Sequence, residues 1–143
     1  MRYNSTEALK LKNQLCFPLY AASRKVIGAY TPLLKPLGMT YTQYIIFMVL
    51  WEQDGITVGE LGSKLHLDSG TLTPVLKKME SAGYVKRTRS NKDERIVNVF
   101  LTEQGLKKKD EAINIPLKMG DCLSFKPEEM EKLKELLYSI LDM

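Results

Sequence analysis

Between Ser69 and Gly105 the spacing of apolar positions changes from helical to alternating, which predicts a helix followed by a two-stranded hairpin. Leu72, Val75, Leu76 and Met79 recur at the i, i+3, i+4, i+7 interval of one helical face. The opposite face carries Ser69, Thr71, Thr73 and Lys77, short hydroxyls and one cation, so a partner can approach this backbone closely. Gly83 falls where a helix ends on a left-handed residue. From Tyr84 the period is two: Val85, Arg87 and Arg89, a turn through Ser90, Asn91, Lys92 and Asp93, then Ile96, Val97, Val99 and Leu101.

Upstream, a helical stretch is expected through Leu9, Leu11 and Leu15. A second follows Pro18, with Leu19, Val26, Ile27, Tyr30, Leu33 and Leu34 on an apolar face that Pro36 and Gly38 end. Thr40 with Gln43 forms a capping box before the uniformly apolar run Tyr44 to Trp51, the central helix. Gly55 breaks it, and Thr57 with Glu60 caps a short helix bearing Val58, Leu61 and Leu65. With the turn His66-Leu67-Asp68 and the Ser69 to Ala82 helix this makes a helix-turn-helix, whose second member enters the major groove in that motif. Thr102 caps a further helix carrying Leu106, Ala112 and Ile113 that Pro116 and Gly120 interrupt or kink. Pro127 opens a last helix with Met130, Leu133, Leu136, Leu137, Ile140 and Leu141 on one stripe.

The fold class is therefore mainly α with a small β-wing, a winged helix-turn-helix over about 54–102. The flanking helices, about 6–38 and 103–142, carry more apolar surface than so small a reading unit can cover. A two-fold homodimer through the N- and C-terminal helices is expected to bury it, the alternative being that these helices pack on their own wing domain.

Charge strengthens the reading of the middle segment. Residues 77 to 95 hold seven cations (Lys77, Lys78, Lys86, Arg87, Arg89, Lys92, Arg95) against three acids, a surplus equal to the whole chain's net charge of +4. Localised positive charge beside a helix and hairpin is the footprint of a double-stranded DNA binder, where cations displace counterions from phosphates; a basic run alone is as readily a solvated charged face, and it is the upstream helix pair that favours DNA.

The remaining composition excludes more than it suggests. At 143 residues and 44% hydrophobic content the chain is one domain's worth of globular protein. No apolar run reaches the roughly 18 residues that cross a bilayer. The opening MRYNSTEALKLKNQ lacks the apolar core of a signal peptide, so the expected compartment is the cytoplasm, with no membrane partner. Cys16 and Cys122 are too few for a disulfide framework or a zinc site, and a single histidine, His66, leaves little for metal or triad chemistry. No phosphate loop or catalytic carboxylate pair is present. Neither cofactor nor enzyme is expected.

The helix-turn-helix, followed by Asp93-Glu94-Arg95 and then Leu101-Thr102-Glu103-Gln104-Gly105, resembles the MarR family of winged-helix regulators. Cys16, Tyr30, Tyr41 and the stretch Asp68-Ser-Gly-Thr-Leu-Thr-Pro74 extend the resemblance to the OhrR-type organic-hydroperoxide repressors, over nearly the whole chain. The resemblance implies a single domain of that type over 1–143, a pseudo-palindromic operator as DNA partner and an organic hydroperoxide as signal. It implies Cys16 as the peroxide sensor, with Tyr30 and Tyr41 of a second subunit donating hydrogen bonds to it. Arg95 takes the place of a wing-tip arginine in the minor groove, oriented by Asp93. Cys122 is the candidate resolving cysteine, the alternative being a low-molecular-weight thiol.

Such chemistry is physically coherent with the residues present. A thiol reacts with peroxide as the thiolate, and Pro18 suits a first helical turn that would leave Cys16 beside a helix N-terminus, where unpaired N–H groups favour an anion. Leu15, Phe17 and Leu19 are apolar and favour a lipophilic peroxide. Three other readings stand beside this one. Cys16 and the tyrosines can be ordinary packing residues. A MarR-type regulator can respond to a small aromatic ligand. A thiol peroxidase would use Cys16 catalytically, though it lacks a peroxidase-like motif.

Overall fold

The computed structural model describes residues 4–143, in eight α-helices and one two-stranded antiparallel sheet. A short α1 (Ser5–Ala8), capped by the Asn4 side chain, precedes the long α2 (Cys16–Leu34) and the central α3 (Tyr41–Glu52). Then come α4 (Val58–Leu65), α5 (Ser69–Ser81), β1 (Val85–Arg89), β2 (Val97–Leu101), α6 (Glu103–Ala112), α7 (Ile115–Cys122) and α8 (Pro127–Leu141).

Both expected capping boxes form: Thr40 with Gln43 opens α3 and Thr57 with Glu60 opens α4. Asp68 caps α5 by accepting the Thr71 N–H at 2.8 Å, and the Thr102 hydroxyl caps α6 by accepting that of Gly105 at 3.1 Å. At the far end of α5, Gly83 takes φ +81°, its N–H donating to the Glu80 carbonyl and that of Tyr84 to Met79. This is the paired 5→2 and 6→1 closure that a left-handed residue permits.

The core is assembled where α5 meets α3. Leu72, Leu76 and Met79 of α5 pack with Ile46, Phe47 and Leu50 of α3, Leu61 of α4, and Val85 and Val99 of the hairpin, all essentially removed from water. Phe47 stacks on Trp51 at 5.3 Å between centroids, and Tyr84 presents its edge to Phe47 at 5.7 Å. Two glycines let backbones touch: a Cβ at Gly62 would lie 2.5 Å from the Leu67 carbonyl oxygen in the helix-turn-helix turn, and one at Gly105 would overlap the Tyr84 carbonyl oxygen.

Four features depart from the sequence expectation. The stretch through Leu9, Leu11 and Leu15 is not one helix; α1 ends at Ala8 and a single 3₁₀ turn covers Leu11–Asn13. There the side chains of Asn13 and Gln14 donate to the carbonyls of Glu7 and Ala8, replacing the helical ladder, and the leucines stay exposed with no packing to reward their period. Helix α2 begins at Cys16 rather than after Pro18, which occupies its third position, where a missing N–H costs nothing. The expected break at Pro116 is present, α6 ending at Ala112 and α7 starting at Ile115 with Pro116 in its first turn, but Gly120 lies inside α7 and does not interrupt it. Residues 54–57 add to the sheet: Gly55 N–H donates to Val99, Val99 N–H to Ile56, and Thr57 bridges Asn98.

Helix α8 contributes nothing buried; Leu133, Leu136, Leu137, Ile140 and Leu141 are all exposed in the single chain. Among the described residues no single helix is long and apolar enough to cross a membrane.

Candidate nucleic-acid interface and redox centre

A concave surface of about 530 Å³ lies between α4, the outer face of α5 and the hairpin. It is lined by Ser69, Thr73 and Lys77 from α5 and by Arg87, Arg89 and Arg95 from the hairpin, so the polar helix face and the wing arginines of the sequence reading converge on it. Helical period places the α5 trio on one side because Leu72, Leu76 and Met79 occupy the other in the core. Thr71 is outside this lining: it is exposed, and its hydroxyl donates to the Asp68 carboxylate at 3.2 Å. Hydrogen bonds from Thr71 hold that carboxyl below the usual aspartate range.

The three hairpin arginines differ in freedom. Arg87 shares its side of β1 with buried Val85 and is held by Glu80 of α5. Glu80 accepts the Arg87 backbone N–H at 2.8 Å, Nε at 3.1 Å and Nη2 at 2.9 Å, and these bonds lower its carboxyl below the usual glutamate range. Arg87 therefore ties the wing to the reading helix, and its charge is compensated in place, a partner that the spacing of the sequence did not disclose. Arg89 donates from Nη1 to the Glu94 carbonyl at 3.0 Å, closing the wing turn. Arg95 points outward with 94% of its side chain exposed, while Asp93, which like Thr71 lies outside the concave lining, accepts its backbone N–H at 3.0 Å and stands 3.9 Å from its Nε. The wing tip thus carries an exposed guanidinium with a carboxylate beside it.

Cys16 is the first residue of α2 and is exposed. No side chain caps that helix, and Leu15 before it is already helical, so the N–H groups of the first turn lack side-chain acceptors. Tyr30 and Tyr41 pack 4.8 Å apart between centroids, and Tyr44, which the sequence reading placed only in the core, joins them 5.8 Å from Tyr30. Burial raises the pKa of Tyr30, Tyr41 and Tyr44 above the usual phenol value, with mutual repulsion adding to it at Tyr30 and Tyr44. The phenols stay protonated and can donate. Fourteen residue steps of helix carry the chain from Cys16 to Tyr30, about 21 Å along the axis, so the thiol and the phenols of one chain do not meet. Cys122 is the last residue of α7, also exposed. His66, the left-handed residue ending α4, and Trp51, whose Nε1 donates to the Gly105 carbonyl at 3.1 Å, are structural, as expected.

Comparison with known proteins places this geometry. The family model described as transcriptional regulator SarA/Rot matches residues 29–112. The organic hydroperoxide resistance transcriptional regulator of Bacillus subtilis is 45% identical over 97% of this chain and 95% of its own length. The reduced, DNA-bound structure of AbfR superposes with a TM-score of 0.79 at 36% identity, covering 96% of this chain and 95% of that one. Its disulfide form, covering 95% and 96% at 37% identity, superposes less closely, with a TM-score of 0.65. The chain belongs to the SarA/Rot family and is a DNA-binding transcriptional regulator of the winged-helix MarR/OhrR type.

Proposed function

We propose that this protein is a homodimeric repressor that holds a pseudo-palindromic operator while Cys16 is reduced and releases it when an organic hydroperoxide oxidises Cys16. The observation that carries the reading is the division of the redox centre. An exposed thiol begins an uncapped helix, and two protonated phenols lie about 21 Å further along, within reach of a thiol only from a second copy. The exposed apolar face of α8 supplies the surface for that copy. The similarity to a regulator of organic hydroperoxide resistance and to a regulator with reduced and disulfide forms supports the same reading.

The chemistry follows from the parts. The Cys16 thiolate, favoured by first-turn N–H groups and by phenol donors, attacks one peroxide oxygen; the O–O bond breaks and the leaving alkoxide takes a proton. A sulfenic acid and an alcohol result. Condensation with a second thiol, Cys122 of the other subunit or a low-molecular-weight thiol, then forms a disulfide and releases water. On the DNA side, Ser69, Thr71, Thr73 and Lys77 face the major groove. Arg95, set by Asp93, enters the minor groove, Arg89 meets phosphate, and Arg87 holds the wing to the reading helix. Inverting a reader from 99:1 bound to 1:99 takes about 5.5 kcal/mol of difference between the two dimer geometries.

Fluorescence anisotropy of an operator fragment, titrated with cumene hydroperoxide, tests the proposal. Wild type should release DNA and Cys16→Ser should not; release by the Ser variant would overturn the sensor assignment. Cys122→Ser distinguishes the two fates of the sulfenic acid, since only a Cys122 partner gives a linked dimer on a non-reducing gel. A second reading rests on a mostly apolar cavity of about 380 Å³ lined by Ile27, Thr31, Leu34, Lys35, Met39 and Tyr41, among others. It suits a small aromatic ligand as effector, and release of DNA by reduced Cys16→Ser protein on adding a phenolic acid would favour it.

A further inference from the structure

Lys108 of α6 is one of the least exposed cations of the described chain, with 13% of its side chain open to water. Its ammonium donates to the Leu37 carbonyl at 3.0 Å and to the Glu111 carboxylate at 2.7 Å, and it stands 5.5 Å from the centre of the Tyr84 ring. An ammonium has three protons, and here a carbonyl, a carboxylate and an aromatic face surround it. A desolvated cation is held only where such partners persist, so the three groups are bound to one another through it.

Leu37 and Tyr84 lie at the ends of two different elements, and α6 packs between them. Leu37 ends the 3₁₀ turn that closes α2, the helix that begins at Cys16 and carries Tyr30. Tyr84 opens the hairpin: its N–H donates to Met79 at the end of the reading helix, its carbonyl accepts from Thr102, and its ring abuts Phe47. A shift of the α2 end therefore stretches the Lys108 bond to Leu37 and, through it, displaces the ammonium from its place over the Tyr84 ring. We infer that Lys108 is a positioning residue that couples the sensing helix to the reading head, transmitting displacement of α2 to the base of the wing.

The coupling rests on the redox reading only for its physiological input, and the test separates the two. Lys108→Met keeps the stem and removes the ammonium; Lys108→Arg keeps a cation. In the first arm, the ratio of operator dissociation constants between oxidised and reduced protein should fall about fivefold or more in the Met variant and be retained by Arg, while reduced-state affinity stays within about threefold. In the second arm, which uses no peroxide, hydrogen exchange is followed on reduced protein with and without operator DNA. DNA should slow exchange in the peptide around residues 34–40 of wild type and of the Arg variant, but not of the Met variant. A wild type indifferent to cumene hydroperoxide would sink the redox reading and leave the exchange arm to decide on Lys108. Wild-type behaviour of the Met variant in the exchange arm overturns the coupling role. So does a weakened reduced state with an unchanged oxidised-to-reduced ratio, or the lack of any DNA effect at residues 34–40 of wild type.

Discussion

The Glu80–Arg87 pair decides whether Arg87 is a phosphate contact or a strut, and a double-mutant cycle can measure it. Glu80→Ala removes three hydrogen bonds at once, including the acceptor for the Arg87 backbone N–H. Hydrogen bonds to a charged group contribute about 1.5–3 kcal/mol when desolvated. Here 24% of the Arg87 and 35% of the Glu80 side chain is exposed, so solvent screening reduces the expected loss to about 1–2 kcal/mol. For a chain of this size that is roughly 3–8 °C in Tm. The cycle of Glu80→Ala, Arg87→Ala and the double variant should return a coupling of about 1 kcal/mol by thermal denaturation. On DNA the two partners should behave oppositely to free charges. Arg87→Ala should leave the slope of log affinity against log salt nearly unchanged, whereas Arg95→Ala should reduce it by about 1. Glu80→Ala, which frees a guanidinium, should tighten binding to non-operator DNA while weakening operator discrimination. A full unit loss of slope in Arg87→Ala, with no coupling in the melts, would refute the strut and restore Arg87 as a phosphate contact.

Three further outcomes follow from the geometry. Gly105→Ala should destabilise by about 1–3 kcal/mol, because its Cβ overlaps the Tyr84 carbonyl oxygen, and emission of the single tryptophan, Trp51, which bonds to Gly105, should change in the folded protein. Phe47→Ala should cost about 3–5 kcal/mol in chemical denaturation, since the ring is fully buried between Trp51 and Tyr84. Glu60, Asp68 and Glu80 have carboxyls lowered by hydrogen bonds in the folded state, so their contribution to stability is complete above their unfolded values and is lost as pH falls through the folded ones. Asp68→Ala should therefore lower Tm at neutral pH and flatten its fall on the acid side; a Tm curve parallel to wild type down to pH 3 would contradict the capping role.

The reading half of the molecule was legible along the chain because its determinants are local. Capping boxes at Thr40 and Thr57, the glycine after α5 and the switch of period at Tyr84 each act within a few residues, and each formed where the spacing put it. The pairing of residues 54–57 with β2 was not legible, since its partner lies some forty residues on and nothing in a four-residue stretch announces it. The failed first helix has the same cause from the other side: leucines at helical spacing form a helix only when something buries them.

For the candidate site residues the division is sharper. Ser69, Thr73, Lys77 and Arg95 could be picked from sequence because period and charge are properties of a segment, and α5 carries its outer face wherever it packs. Sequence alone likewise singled out Cys16, Tyr30 and Tyr41, but through a family's pattern rather than through spacing. Only tertiary structure separated Arg87 from the other arginines by setting Glu80 beside it, gathered Tyr44 with the two named phenols, and brought Lys108 against the ends of two other elements. Hydrogen-bond partners and burial depend on which surfaces meet, and that is decided by packing across the whole chain.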